Sequence, residues 1–561
     1  MRIACCLGLM LVLGGAISAQ TVIYGPSTGR GFATGYMGAH TIVRDSQSNL
    51  YVIYRYQVGT QWDLAIARSA NTGASWSMTW QTGFATPLGT DFGNYHPCIA
   101  IDSQDNLHCA WFHRVAFTGS RLPATIHYNR YEAATAKWGT EWVVTPSAVF
   151  ERPNPVLAVD SKDYVWFSHG NTGWGSVLQR SNQPYAAGGG FTVYSPSPAA
   201  QQHCSLVVDK NDYIHITWYE YVGYAGVKHK WIDPAASSPA WTVFSLSNHG
   251  ATNQTDRAEY YSSLSADFWG NVYAIYTVDD QAGTSARTGP TEFYVRKWDG
   301  GAQTWGTPEL VHSVPITVWH PSYASSGTDY NSGAVISGAC DEGTGEFYFA
   351  YRDFATGDFT LGRWRGVDLE PATIYARLMN TSPFPVTTQN YFLYPHLRGT
   401  LWPTANRTAW GLDLTYVAGD QTATSPIYTD YFEHFPLASL ASTATPRIGT
   451  TYPLDLSAVT EGGKIYGTAL TASGLMPVFK IGRRYIPLTP DHVFVATVTN
   501  QLPGIFVGFQ GVLSASGAGQ AKIALPAIPG LVGVKIDACF VTYDAAGVRT
   551  ISNPWGFTIT K

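Results

Sequence analysis

From His96 to Arg114 the chain reads HPCIAIDSQDNLHCAWFHR. An apolar run enters a polar turn, Asp102 to Asn106, and leaves it along a stretch in which apolar and polar residues alternate. Alternation of period two on either side of turn-forming residues predicts a β-hairpin. The same unit recurs from His40 (HTIVRDSQSNLYVIYR), Asn154 (NPVLAVDSKDYVWFSHG), His203 (HCSLVVDKNDYIHITWYEY) and Tyr261 (YSSLSADFWGNVYAIYTV), with weaker copies from Ala334 and His396. Between hairpins lie polar-aromatic strand pairs, such as 124–144 and 291–311. The copies start roughly 50–70 residues apart, the spacing of a four-stranded repeat.

Seven such repeats predict an all-β fold, a seven-bladed β-propeller over residues 20–440; six blades follow if the last two irregular copies do not form. A strand at Thr21 to Tyr24 could complete the last blade. After Phe435-Pro436 the texture changes, and Ala438 to Pro446 reads as a linker. Residues 441–561 alternate short β-rich runs with Gly and Pro turns, which predicts a C-terminal β-sandwich. No cluster of catalytic residue types falls in it. Sorting, attachment, glycan binding or a structural cap are its possible roles.

Composition supports the strand reading. Charged residues are 13% and aromatics 14%, with 56 Gly and 32 Pro among 561 residues. Long amphipathic helices need more charge than this on their outer faces. A net charge of −5 and the absence of a basic run argue against nucleic acid as a partner. Residues 1–19 read as a signal peptide: Arg2, an apolar run from Cys5 to Leu13, and a small-residue exit at Ala16 to Ala19. That run is too short to span a bilayer, and no later stretch is apolar enough. A secreted, extracellular monomer without a membrane span is therefore expected. Removal of Cys5 and Cys6 would leave five cysteines, too few for a disulfide framework, with Cys98 and Cys109 either bridged or buried as free thiols.

Aligning the copies on their turn aspartates shows which residues converge. The start of strand one and the end of strand two meet at one end of a hairpin, and the turn lies at the other. The strand-one starts carry His40, His96, Asn154, His203 and Tyr261, with Arg152 and Tyr260 adjacent. Near the end of strand two one column reads Tyr54, Trp111, His169, Trp218, Tyr276 and Tyr351, and two residues on it reads Tyr56, His113, Asn171, Glu220, Val278 and Asp353, with Arg352 alongside. A core would place apolar residues in these columns and a plain surface would place small polar ones. Imidazoles, aromatics and arginines mark this end as the candidate site. His108 and His215, in mid-strand, and the turn acids Asp45, Asp102, Asp160, Asp209 and Asp267 read as structural.

Ser69 to Trp76, SANTGASW, is close to the Asp-box pattern with Asn71 in place of Asp, and Trp298 to Trp305, WDGGAQTW, is a looser relative. On these motifs the chain resembles the BNR-repeat, sialidase-like β-propeller superfamily. Its hairpin resembles that of the BNR-propeller polysaccharide lyases of the ulvan lyase type. There one His opens strand one and another closes strand two of the same blade, as His96 and His113 do here. The next blade of that family supplies Tyr and an Arg-x-Gly-x-Ser-Gly-x-Gly-like segment. Here that segment is HGNTGWG, with His169 in the Arg position, and Arg152 and Asn154 occupy the Tyr region.

The resemblance implies β-elimination from a uronic-acid-containing polysaccharide. His113 or His96 would act as base and the other as acid, with Arg152 and His169 at the uronate carboxylate. His40, Asn154, His203, Tyr219, Arg257, Tyr260 and Arg352 would line the sugar site. Two other readings stay open. A sialidase-like hydrolase would use Glu220 with Tyr219 or Tyr221 and Arg152, Arg257 and Arg352, but the N-terminal Arg-Ile-Pro-type signature is missing. A non-catalytic glycan-binding propeller would stack sugars on aromatics such as Trp174, Trp218, Trp319 or Tyr323. None of these chemistries requires a cofactor. Zn²⁺ held by histidines, or Ca²⁺ bridging a uronate, is compatible with the residue types, although the spacing matches no ligand motif.

Overall fold

The computed structural model describes residues 21–27, most of 40–314, the strand segments between 336 and 433, and most of 438–561. The chain is built from antiparallel sheets in sequence order, and the hairpins predicted above are their first two strands. Sheet I holds Ile42–Arg44, Leu50–Val58, Gln61–Ser69 and Ser77–Gln81. Sheet II holds Gly93–Ile101, Leu107–Arg114, Leu122–Glu132 and Trp142–Phe150, joined to sheet I by one parallel pair, Trp62 with Gly93. Sheet III runs Val156–Val159, Val165–Gly170, Ser176–Ser181 and Phe191–Pro196. Sheet IV runs Gln202–Val208, Ile214–Glu220, Gly226–Ile232 and Thr242–Ser245. Sheet V contains Arg257–Ala266, Val272–Gln281, Arg287–Asp299 and Glu309–Val314; sheet VI contains Ile336–Cys340, Phe347–Arg352, Phe359–Trp364 and Thr373–Ile374. Sheet VII contains His396–Arg398, Gly411–Val417 and Ser425–Glu433, and its fourth strand is Thr21–Ser27 from the other end of the chain.

The first strands of these sheets touch in series from I to VII, and that of sheet VII touches that of sheet I. Apolar clusters fill the spaces between neighbours. Val43, Ile53 and Ile66 of sheet I meet Ile99, Leu107 and Trp111 of sheet II. Phe112 and Tyr128, on the other face of sheet II, meet Leu157 and Phe167 of sheet III. Alternation along each strand thus buries both faces, one against each neighbour.

Each turn aspartate organises its hairpin. Backbone N–H groups of Gln104 and Asn106 donate to Asp102 Oδ1, and Asn106 Nδ2 donates to Oδ2. Oδ2 also meets a ring six residues on: Tyr51 at Asp45, His108 at Asp102, Trp166 at Asp160, His215 at Asp209 and Tyr273 at Asp267. His108 and His215 are therefore two of five rings serving one structural position. Asn71 ties a turn in sheet I in the same manner, accepting from Ser75 N–H at 2.8 Å.

Residues 438–561 form two main sheets. One contains Ser439–Ala441, Thr451–Ser457, Ala518–Ala524 and Phe506–Val507; the other contains Gln510–Val512, Ile465–Thr471, Lys535–Asp544, Gly547–Ile551 and Trp555–Thr558. Tyr452, Leu454 and Ile523 of the first share a core with Leu470, Phe540 and Phe557 of the second. A helix, His492–Val498, is capped by Asp491, whose Oδ1 accepts from Phe494 N–H.

Cys98, Cys109, Cys340 and Cys539 are buried free thiols. Cys98 belongs to the cluster facing sheet III and Cys109 to the cluster facing sheet I, so the sheet itself separates them. Among the described residues, no helix is long and apolar enough to cross a membrane.

Candidate functional site

His96 sits in the first strand of sheet II at a break in register between Tyr95 and Cys98. Its φ of +47° is left-handed, and among the described non-glycine residues with positive φ it alone lies within a strand; the others are in turns or in the short 3-10 helix Pro184–Ala186. The next residue, Pro97, has no N–H to give the ladder. A bulge of this kind re-aims a side chain, and a β-carbon residue in this region is held there against a cost of about 1 kcal/mol or more. The His96 ring lies on Phe112, with centroids 5.1 Å apart. His40 is close by along the chain of contacts, because its carbonyl accepts from Ile99 N–H at 2.7 Å.

His113 follows Phe112 and so points to the opposite face of the strand, toward sheet I. Its register partner is Thr125, and the preceding pair on that face is Trp111 with His127. His127 stacks on Trp111 and meets His113 edge-on, with ring centroids 5.7 Å apart. Glu141 Oε1 lies 2.5 Å from His127 Nδ1, and Thr125 Oγ1 lies 2.5 Å from Nε2. Burial, helped by the neighbouring His127, lowers the pKa of His113 to about 4. His96 and His113 thus belong to the same end of one hairpin but are carried on opposite faces of it.

Sheet III supplies the next members. Asn154 precedes its first strand and is 6% exposed, and its Nδ2 meets no hydrogen-bond partner among the described residues. His169, near the end of its second strand, is 2% exposed. Its Nδ1 lies 2.7 Å from the Gly170 carbonyl, and Gln179 Nε2 donates to its Nε2 at 3.2 Å. Burial lowers its pKa to about 4. A neutral ring supplies no positive charge, so the expected partnership of His169 with Arg152 leaves the charge to Arg152, which lies outside the described residues.

His203, Tyr219, Arg257, Tyr260 and Arg352 fall on strands, and their side chains lie outside the described residues. Trp174, Trp319 and Tyr323 also lie outside them. Trp218 does not offer a stacking face for sugar. It is 4% exposed within the core of sheets II to IV, with Lys230 Nζ 5.5 Å from its ring centre. Among the described residues, no three His, Cys, Asp or Glu side chains come together as a metal-binding group.

Sequence reasoning missed His127 and Glu141. The column argument stopped at two strands. Extended by register to the third strand, it reads Ala65, His127, Val177, Lys228, Tyr294 and Thr360, in which one imidazole stands out.

No protein-family model and no curated protein matches the chain. Among solved structures it is similar to an ulvan lyase of a polysaccharide lyase family, at 13% identity and a TM-score of 0.46, over 72% of this chain and 95% of that one. It is also similar to the α-L-arabinanase of Penicillium chrysogenum, at 10% identity and a TM-score of 0.41, over 74% and 97%. A Hadza microbial sialidase is similar at 11% identity and a TM-score of 0.36, over 73% and 68%. None of these likenesses bears on which residues act here.

Proposed function

We propose that the chain is an exported carbohydrate-active β-propeller that cleaves a uronic-acid-containing polysaccharide by β-elimination. In this reading sheets I to VII are the blades of one ring over 20–440, closed by Thr21–Ser27, and 441–561 is a β-sandwich appended to it. The supporting observation is His113, a buried imidazole kept neutral beside a histidine–carboxylate pair, at the same hairpin end as the left-handed His96.

A neutral imidazole has a free electron pair and can take a proton from carbon, provided the resulting carbanion is stabilised. In a uronate the C5 proton is acidified when the carboxylate is neutralised, the role assigned to Arg152, with Asn154 and His169 as hydrogen-bonding neighbours. His113 takes the C5 proton, the C5–H electron pair forms the C4=C5 double bond, and the C4–O4 bond breaks. His96 returns a proton to the departing oxygen. No water is consumed, and the product is an unsaturated uronate.

The test is ultraviolet absorbance of the unsaturated uronate while the protein acts on a panel of uronic-acid polysaccharides, ulvan included. A rise is expected, with kcat/KM falling about 10²–10⁴-fold in His113→Ala and in His96→Ala. Full activity in both variants overturns the site. New reducing ends without absorbance mean hydrolysis, and binding without new ends means a glycan-binding propeller.

A further inference from the structure

Among the described residues of sheets I and III to VI, the position of His127 carries no other histidine. It is filled there by Ala65, Val177, Lys228, Tyr294 and Thr360. The face it occupies is otherwise an apolar cluster around Trp111. Burying an imidazole and a carboxylate there, with side-chain exposures of 5% and 20%, is a poor way to gain stability, because desolvation opposes the attraction. What the pair does gain is a fixed ring. Trp111 holds one face of His127, Glu141 holds one nitrogen and Thr125 the other, so the ring cannot turn without losing a contact. The ring so held meets His113 in a T-shaped contact, with centroids 5.7 Å apart.

We infer that His127 and Glu141 are positioning residues for His113: Glu141 locks the His127 ring, and the locked ring fixes the orientation of His113 at the hairpin end. The catalytic consequence rests on the lyase reading above; the structural one does not. After burial, His127 is the neighbour that lowers the His113 pKa, so it disfavours protonation there. The dyad therefore keeps the base both aimed and unprotonated.

Two variants of the full mature chain separate these effects. His127→Phe keeps the stack on Trp111 and removes both nitrogens. Glu141→Gln keeps an acceptor for the ring and removes the charge. The readout is the ring nitrogen NMR spectrum of His113, identified by its loss in His113→Ala, followed across a pH titration. In His127→Phe the His113 midpoint is expected to rise from about 4 by about half a unit or more, and in both variants its ring signals are expected to shift. Activity, measured alongside, should lose kcat about 10-fold with KM little changed. Unchanged His113 signals in both variants overturn the inference, even if thermal stability falls, because a merely structural pair would lower stability alone. If His127→Phe does not fold, Glu141→Gln alone decides by the same signals. Shifted signals in a protein that never yields unsaturated uronate would leave the dyad standing and remove the lyase reading.

Discussion

A histidine enclosed by rings and backbone stays neutral because charging it would remove an ion from water. His113 and His169 both stand at about 4, against 6.5 for an ordinary imidazole, with burial the first cause in each. The unfolded chain takes up these protons near 6.5 and the folded chain only near 4. Below 6.5 the unfolded state therefore binds more protons, and stability falls as pH drops through the window from 6.5 to 4. Each residue contributes a loss on the order of 3 kcal/mol across that window. Thermal melting followed from pH 7 down to pH 4 should show this slope. His169→Gln, which keeps hydrogen-bonding capacity and cannot titrate, should flatten it. An identical slope in the variant would mean that His169 is already protonated in the folded protein, or is more open to water than its 2% exposure indicates.

At the scale of the hairpin, the turn serves two sheets at once. Asp105, Asp163 and Asp212 each lie three residues after a turn aspartate, with φ near the left-handed minimum at 65°, 63° and 63°. Each carboxylate accepts from the backbone N–H and the hydroxyl of a serine in the preceding sheet: Ser46 to Asp105, Ser103 to Asp163 and Ser161 to Asp212. The series stops between sheets IV and V, where Lys210 and Gly270 hold the two positions. Gly270 keeps the positive φ, at +82°, without a carboxylate. Replacing Asp163 by Ala should cost about 2–3 kcal/mol, from two lost hydrogen bonds and a β-carbon at positive φ. Asp163→Gly loses the bonds but not the backbone fit, so it should be the milder change. Urea midpoints for the two variants measure the difference, and equal midpoints would show that the backbone conformation contributes nothing.

The first five hairpins were legible because their pattern repeats: the same turn aspartate, the same alternation and the same ring position return in each. The carboxylate staples and the His127–Glu141 pair were not, because both depend on which residues meet across strands far apart in sequence. The helix His492–Val498 was missed for a local reason. HVFVATV is rich in β-branched residues and reads as strand. The Asp491 cap and the burial of Phe494 and Thr497 override that preference.

At the scale of the whole chain, one terminal strand completes sheet VII. Sheet VII has three strands from 396–433, and its fourth, Thr21–Ser27, pairs Thr21 with Thr429, Val22 with Tyr428 and Tyr24 with Ile427. Without it, the edge of Ser425–Glu433 would present unpaired backbone groups, a surface that recruits other strands. The contact of the first strand of sheet VII with that of sheet I would also lose its outer support. Deleting residues 21–27 should therefore lower stability on the order of 3 kcal/mol, the sum of several ladder bonds and cross-strand pairs. It should also shift the protein toward larger species on size-exclusion chromatography. A synthetic peptide of residues 21–27, added in excess, should reverse both effects by refilling the edge. A deletion that changes neither the melting temperature nor the elution would mean that the ring holds through its inner strands and apolar clusters alone. The terminal strand would then be an addition to the fold with no part in closing it.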